Sequence, residues 1–278
     1  VEWNGLELNN PMSGQVDFSL IPVYFLDRVE LLAGGNSLHS GKGALGGTVR
    51  LSSQPDWKKG LKGSLMQSIG SFGRNQTFAD IGGGSNLVQG RLKFFYEQSD
   101  NNFEYINNAN GLWNTERLDN SSYRKNALLG EIFLRTKNDD LLSLNTWIQN
   151  SSRNLPAIMS YMGEDRKEIQ NDRQFRTSFS WKKYGERIRS ELITGVTFSG
   201  VDYSKKYETG LGSNVIYDSE SVTTSFYNRH TLEWELNENA LIRSQFNFNY
   251  HQVRNIDLIS YSDYDATRKE TGLSLSYH

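Results

Sequence analysis

The segment between Gly34 and Gly47 has residue types and spacing that could bind a phosphate. Its Gly41-x-Gly43-x-x-Gly46 spacing matches a dinucleotide-binding fingerprint, but that motif must open a helix, and a strand pattern follows at Thr48–Leu51. The Lys42 that would serve a P-loop is followed by glycine rather than by serine or threonine. A kinase-type loop lacks its downstream lysine strand and catalytic loop. The glycines therefore predict tight turns with positive φ between short strands.

Metal and nucleophilic chemistry are poorly supported. The chain has no cysteine, so it has neither disulfides nor thiolate ligands. Its four histidines are widely scattered, and none has a carboxylate and serine pattern around it that indicates a catalytic triad. Loop aspartates lack the regular spacing of a calcium-binding loop. We therefore predict no metal site, no cofactor and no catalytic residues, and the sequence is not expected to be an enzyme.

Composition narrows the class further. The 278 residues carry a net charge of −2, which argues against nucleic acid as a partner. No apolar run approaches the roughly 20 residues of a membrane-spanning helix. Only four prolines accompany 25 glycines and 12% aromatic residues, a balance that favours β structure.

From residue 61 onward, polar and apolar residues alternate with a period of two. In one segment, for example, Val88, Leu92 and Phe94 share one face while Arg91 and Lys93 share the other. This period is typical of strands with two different environments. Ten such strands are predicted, at approximately 61–71, 76–83, 87–98, 124–137, 141–151, 173–184, 186–198, 223–236, 240–252 and 267–278.

The connections between these strands sort by length. After the first hairpin, tight turns alternate with long polar loops at 99–123, 152–172, 199–222 and 253–266. All short turns at one end and all long loops at the other predict an antiparallel, up-and-down transmembrane β-barrel. The polar face would line a lumen filled by water or by a polar plug, and the aliphatic face with Trp181 and Phe198 near its ends would face lipid. The alternative is a soluble β-rich carbohydrate-binding or adhesin module.

The first 58 residues resemble a known family. The run Leu26–Leu32, the glycine-rich segment 34–47 and the strand Val49–Leu51, together with upstream Asn4-Gly5, are similar to the second half of the plug of TonB-dependent outer-membrane receptors. The resemblance implies part of a small α/β plug domain at 1–58, and an incomplete barrel of about ten strands at 59–278. Family barrels have about 22 strands and are wide enough to need a plug. We therefore expect a piece of a longer chain.

The resemblance also implies where a ligand binds. A loop from Asn9 to Phe18 corresponds to one that reaches the ligand cavity in family members, although Asn9-Asn10-Pro11 could simply form a turn. A second candidate segment begins at Asn36. The predicted ligand-binding residues are Asn10, Met12, Ser13, Gln15, Asp17, Asn36 and Ser37. Three charged residues, Arg28, Glu30 and Arg50, are expected to contact the barrel wall, because buried charges in a plug need partners.

The function implied by the resemblance is import of a scarce, large ligand across the bacterial outer membrane, energised by the TonB complex. Residues 3–17 look most like plugs of cobalamin receptors from Bacteroidetes-type bacteria, so a corrinoid is the first hypothesis for the ligand. Siderophore or haem iron-chelate uptake is the alternative, because one fold hosts many ligands. Expected partners are TonB, outer-membrane lipid, the small-molecule ligand and, as a further candidate, a surface lipoprotein.

Overall fold

The computed structural model describes residues 1–34, 46–109, 111, 113–158, 166–209 and 212–277. Within these ranges the protein is all-β, as the sequence predicts. The strands are β1 (Glu2–Trp3), β2 (Leu6–Glu7), β3 (Arg28–Ala33), β4 (Gly47–Ser52), β5 (Gly60–Ile69), β6 (Asn75–Gly84), β7 (Val88–Ser99), β8 (Glu104–Asn107), β9 (Asn114–Arg117), β10 (Tyr123–Arg135), β11 (Leu141–Leu155), β12 (Arg166–Tyr184), β13 (Ile188–Thr209), β14 (Gly212–Asn237), β15 (Ala240–Asp257) and β16 (Ser262–Tyr277). None of the helices in the described ranges is long and apolar enough to cross a membrane.

Residues 1–58, here called the plug segment, contain a small sheet with the strand order β2-β1-β4-β3. The sequence pattern predicts one strand over Val1–Leu8, and this prediction is wrong. Asn4 and Gly5 both have positive φ, at 45° and 83°, so the chain reverses there and β1 pairs with β2 as a tight hairpin. An Asn-Gly pair is well suited to such a turn.

Two short 3₁₀ helices connect β2 to β3 in the plug segment, at Phe18–Leu20 and Val23–Phe25. The Asp17 side chain caps the first by accepting a hydrogen bond from the Ser19 amide. Pro22 lies between the two helices, at the position that caps the second. These turns bring Leu20 and Phe25 into buried positions.

The large sheet is formed by ten antiparallel strands in the order β16-β15-β14-β13-β12-β11-β10-β7-β6-β5. All ten strands predicted from the alternation are present, and each pairs with its neighbour in sequence apart from the β8–β9 insertion. This topology confirms the predicted fold class.

Three of the four long polar loops are mostly strand, contrary to the sequence prediction. β13 extends to Thr209, and β14 begins at Gly212. Likewise β11 extends to Leu155, and β12 begins at Arg166. β15 and β16 are joined by a short turn at 258–261. In the fourth, the hairpin β8–β9 forms a separate two-stranded sheet. The ladder of backbone hydrogen bonds continues after the polar and apolar alternation has ended. Strands predicted from the alternation are therefore too short.

The two faces of the large sheet differ as predicted. On β7, Gln89, Lys93 and Glu97 are buried while Leu92 and Phe94 are exposed. We call the face that bears the first set, and that contacts the plug segment, the inner face, and the opposite one the outer face. Trp181, Phe198 and Trp234 lie exposed on the outer face.

The inner face is not wet throughout, which corrects the expectation of a uniformly polar interior. A shared apolar core joins Trp3, Leu6, Phe25 and Leu51 of the plug segment to Phe95, Ala127, Leu129, Trp147 and Tyr227 of the large sheet. Trp147 packs edge-on against Trp3 and Phe25, with ring centroids 5.4 and 5.8 Å apart. Burial of these side chains holds the plug segment against the sheet.

Candidate ligand-binding site

A buried charge cluster fixes the residues just before β3 to the large sheet. Lys93 donates hydrogen bonds to the Phe25 carbonyl oxygen at 2.9 Å and to Asp27 at 3.1 Å. Arg91 pairs with both Asp27 and Glu131, the latter at 2.6 Å. Burial opposes ionisation of Asp27, but hydrogen bonds from Arg91 and the Gln54 amide, with Lys93 nearby, hold the pKa of its carboxyl below the usual range. Two cations thus balance two carboxylates.

A second charge cluster anchors the β1–β2 hairpin. Arg229 on β14 reaches Glu2 at 3.1 Å and the Gly5 carbonyl oxygen at 3.3 Å. Arg50 lies 3.8 Å from the same Glu2 carboxylate. Hydrogen bonds from the large sheet to backbone carbonyl oxygens, such as Ser178 to Asn4 at 2.9 Å, add to this anchoring.

The charged residues expected to contact the barrel wall have their described ion pairs inside the plug segment. Arg28 pairs with Glu30 on the same exposed strand, and Arg50 pairs with Glu2. Side chains at i and i+2 share a face of β3, so they can neutralise each other without a distant partner. Contact of these three residues with the wall stays a prediction. Among the described residues, the ion pairs that do join the two parts use Glu2, Asp17, Asp27 and Asp56 of the plug segment.

The segment from Asn9 to Asp17, here called the plug loop, is held by its own hydrogen bonds. The Asn10 side chain accepts hydrogen bonds from the amides of Met12 and Ser13, and the Gly14 amide donates to the Asn10 carbonyl oxygen at 2.8 Å. Gly14 has a φ of +70°, a conformation that glycine adopts without strain. The turn predicted as the simpler alternative is therefore present and gives the loop a defined shape.

A cavity of about 580 Å³ lies between the plug loop and the inner face of β11–β14. Its walls combine apolar residues, such as Leu8, Leu20, Ile21 and Val201, with polar and charged ones. The lining residues are Glu7, Leu8, Asn9, Asn10, Pro11, Ser13, Gln15, Val16, Asp17, Leu20, Ile21, Arg153, Gln170, Asp172, Gln174, Arg176, Thr197, Phe198, Ser199, Val201, Thr223, Ser225 and Tyr227. Its size and lining suit an organic ligand with several polar groups.

One chain of ion pairs crosses the cavity wall. Arg153 on β11 donates to Asp17 of the plug loop at 2.6 Å and to Asp172 on β12 at 3.0 Å. Partial burial acts to raise the pKa of Asp17, but hydrogen bonds from Ser19 and Arg153 outweigh it and hold that pKa below its usual value. Asp17 is therefore ionised at neutral pH and ties the loop to the sheet.

Glu7 places a second carboxylate at the plug side of the cavity. Burial raises the pKa of Glu7, and the nearby Glu270 carboxylate raises it further. Because the shift opposes ionisation, the charge of Glu7 is costly to maintain at this position.

Arg176 on β12 brings a cation to the cavity without a carboxylate partner among the residues that the structure describes. Its guanidinium lies over the Trp147 ring, 4.5 Å from the centroid, and donates one hydrogen bond to Gln174. Its other terminal nitrogen, Nη1, is buried and has no hydrogen-bond partner.

The structure brings four of the predicted ligand-binding residues to the cavity: Asn10, Ser13, Gln15 and Asp17. Met12 belongs to the same loop but does not line the cavity; it is 53% exposed and its sulfur lies 3.9 Å from the Ser221 hydroxyl. Asn36 and Ser37 lie outside the described residues. A ligand contact by any of these residues stays a prediction.

Sequence reasoning missed part of the wall opposite the plug loop. Arg153, Gln170 and Asp172 fall in a segment predicted as a loop, whereas they lie on β11 and β12. Arg176 was within reach of the pattern, because it lies on the predicted polar face of its strand. In the described part of the chain, no group of three or more histidines, aspartates and glutamates could hold a metal ion.

Comparison with known proteins agrees with this architecture. Residues 1–48 match the family model of the TonB-dependent receptor plug domain. A search of the curated proteins finds no match. Among solved structures, the chain is similar to the copper transporter OprC, with a TM-score of 0.66 and 17% identity, over 97% of this chain and 41% of that one. The chain thus shares its fold with part of this transporter, and its first 48 residues are similar to a TonB-dependent receptor plug.

Two further structures of this kind align with almost the whole chain. The ferric citrate transporter FecA gives a TM-score of 0.61 at 8% identity, over 99% of this chain and 50% of that one. The pyoverdine receptor FpvA from Pseudomonas aeruginosa PAO1 gives 0.55 at 13% identity, over 99% and 51%. The chain thus spans about half the length of the receptors it resembles. The plug match and the barrel-type sheet assign it to the outer membrane.

Proposed function

We propose that this protein binds a large, scarce small molecule at the cell surface and imports it across the outer membrane with energy supplied through TonB. The observation that carries the proposal is the cavity between the plug loop and the inner face of β11–β14, since it is lined by both parts of the molecule. A ligand there touches the plug segment directly, so its arrival can change how the plug loop is held.

The coupling would run through the plug loop. Arg153 holds Asp17 at 2.6 Å, and a ligand that competes for either group weakens the tie between the loop and the sheet. The buried clusters around Lys93 and Glu2 would meanwhile keep the rest of the plug segment seated until TonB pulls on it. Binding and opening are thus assigned to different contacts.

A corrinoid is the first candidate ligand and an iron chelate the second. The resemblance of residues 3–17 to corrinoid-receptor plugs supports the first. The second is supported by similar solved structures, whose names describe a ferric yersiniabactin uptake receptor, a ferric citrate transporter and a pyoverdine receptor. A surface lipoprotein remains a candidate partner of the same complex.

Equilibrium binding to the full-length receptor tests this proposal. We expect tight binding of cyanocobalamin that is weakened about tenfold by Asn10→Ala or Gln15→Ala, since each removes a polar contact in the cavity. Val23→Ala is the control, because Val23 is exposed in the plug segment and does not line the cavity. Retained iron-chelate binding without cyanocobalamin binding would reverse the order of ligands, and binding of neither would refute the function.

A further inference from the structure

Arg176 is a cation for which the described residues supply no carboxylate counter-ion. Several other inner-face arginines of the large sheet meet carboxylates: Arg91 pairs with Glu131, Arg229 with Glu2, and Arg153 with Asp17 and Asp172. Arg176 has only the Trp147 ring and the neutral Gln174 amide among its described contacts. An enclosed charge without a counter-ion destabilises a protein unless something else compensates it.

The surroundings of Arg176 leave space for that compensation. The side chain lines the 580 Å³ cavity, between Gln174 on its own strand and Tyr227 on β14. Trp147 is fully buried and held edge-on by Trp3 and Phe25, so the ring that supports the guanidinium cannot move freely. A guanidinium stacked on a fixed ring is pre-oriented, which lowers the entropy lost when it binds an anion.

We infer that Arg176 binds an anionic group of the ligand, a carboxylate or a phosphate, and thereby selects anionic ligands over neutral ones. The inference rests on the proposed function, because it assigns the chemistry of the ligand that occupies the same cavity. Nη1 is buried without a partner, so an anionic ligand group that meets the cavity-facing part of the Arg176 side chain would supply the countercharge that the described residues do not. Two of the three carboxylates that line the cavity, Asp17 and Asp172, are paired with Arg153, and Glu7 has no ion pair with Arg176 among the described residues.

The first test uses citrate, a small anion that carries the required chemistry whichever ligand is imported. Citrate is titrated into the purified full-length receptor while tryptophan emission is recorded, because Trp147 lies 4.5 Å from the guanidinium. We expect a saturable change in the native receptor and its loss in Arg176→Gln. Arg243→Gln is the matched control: Arg243 lies on the inner face of β15, pairs with Glu233 at 3.6 Å and is absent from the cavity lining. No saturable change in the native receptor, or the same change in Arg176→Gln, would overturn the inference.

The second test separates selection by charge from a merely structural role. Two pairs of probes differ in whether they carry an anionic group: cyanocobalamin, which has a phosphodiester, against dicyanocobinamide, which lacks it, and ferric citrate against the neutral ferrichrome. In the pair that the native receptor binds, Arg176→Gln should weaken binding of the member with the anionic group by about tenfold or more. Binding of the other member should change by less than about twofold. Arg176→Lys should recover part of the loss. Equal weakening of both members would show that Arg176 only supports the fold of the wall. If the native receptor binds none of the four probes, the proposed function fails, whereas the citrate titration still decides the role of Arg176.

Discussion

Lys93 illustrates how single residues hold the plug segment in place. It is 2% exposed, and it contacts both the Phe25 carbonyl oxygen and Asp27 across the interface between the plug segment and the large sheet. Its removal leaves Asp27 and Glu131 sharing the single guanidinium of Arg91 in a poorly solvated position.

Lys93→Met should therefore lower the free energy of unfolding of the receptor by about 3 kcal/mol, because it breaks a buried charge cluster while nearly preserving volume. Denaturant unfolding in detergent measures this effect. Lys62→Met is the control: Lys62 pairs with Asp56 at 2.8 Å on the exposed side of the molecule, and its loss should change stability by about 0.5 kcal/mol or less. Equal effects of the two substitutions would contradict the assigned role of Lys93.

The tie between Asp17 and Arg153 makes the plug loop sensitive to acid. Because the pKa of Asp17 is lowered in the folded protein, its contribution is fully present above the unfolded value of about 4 and is lost as the pH falls through the lower folded value. After correction for the intrinsic pH dependence of amide exchange, we expect hydrogen exchange of the amides at 9–17 to speed up over that acid range. Asp17→Asn should show the fast exchange already at pH 7, whereas Glu30→Gln, which affects only a pair on β3, should not. Unchanged exchange in Asp17→Asn would contradict the role of the Asp17–Arg153 ion pair in holding the plug loop.

At the scale of elements, the fit between β2 and β13 depends on a missing side chain. Gly195 lies on the inner face of β13, and a Cβ built there would lie 2.6 Å from the Leu6 side chain and 2.4 Å from the Thr177 carbonyl oxygen. The buried Leu6 therefore packs where only glycine leaves room.

Gly195→Ala should displace the β1–β2 hairpin and lower the free energy of unfolding by about 1–3 kcal/mol, as expected for overpacking. Protease cleavage of the plug segment in the folded receptor should rise in parallel. Gly272→Ala on β16 is the matched control, since its nearest atoms lie at 3.7 Å and accept a methyl group. If both variants resist cleavage like the native receptor, packing of the β1–β2 hairpin against Gly195 is contradicted.

The elements also show how far the sequence alone could go. All ten strands of the large sheet follow from alternation, because one face is apolar and the other meets the plug segment or water. Alternation stops where both faces are polar, as at Asp202–Lys206, although β13 continues there. Arg153 and Asp172 were placed in a loop for this reason, so the wall of the candidate site was only half predicted. Trp147 and Leu129 on the inner face were missed as core, because their apolar partners come from the distant plug segment.

At the scale of the whole molecule, the large sheet forms an outer-membrane wall, and the plug segment packs against its inner face. The same two faces explain the apolar exposure outside, the charge clusters inside and the cavity where the plug loop meets the sheet. A sheet with the opposite orientation would place Arg91, Lys93 and Glu131 in hydrocarbon, at a cost of several kcal/mol each. The orientation of the faces is therefore the claim on which the function depends.

Site-directed spin labelling along β15 tests that orientation most directly, and the cysteine-free sequence of this part of the receptor suits single-cysteine substitution. Labels are placed one at a time at Ile242–Tyr250 of the full-length receptor in lipid bilayers, and their collision rates with oxygen and with a water-soluble nickel complex are measured. Labels replacing Ile242, Ser244, Phe246, Phe248 and Tyr250 should show high oxygen and low nickel accessibility, and the intervening positions should not. High oxygen accessibility at Arg243, Gln245 and Asn247, with low values at Phe246 and Phe248, would contradict the account.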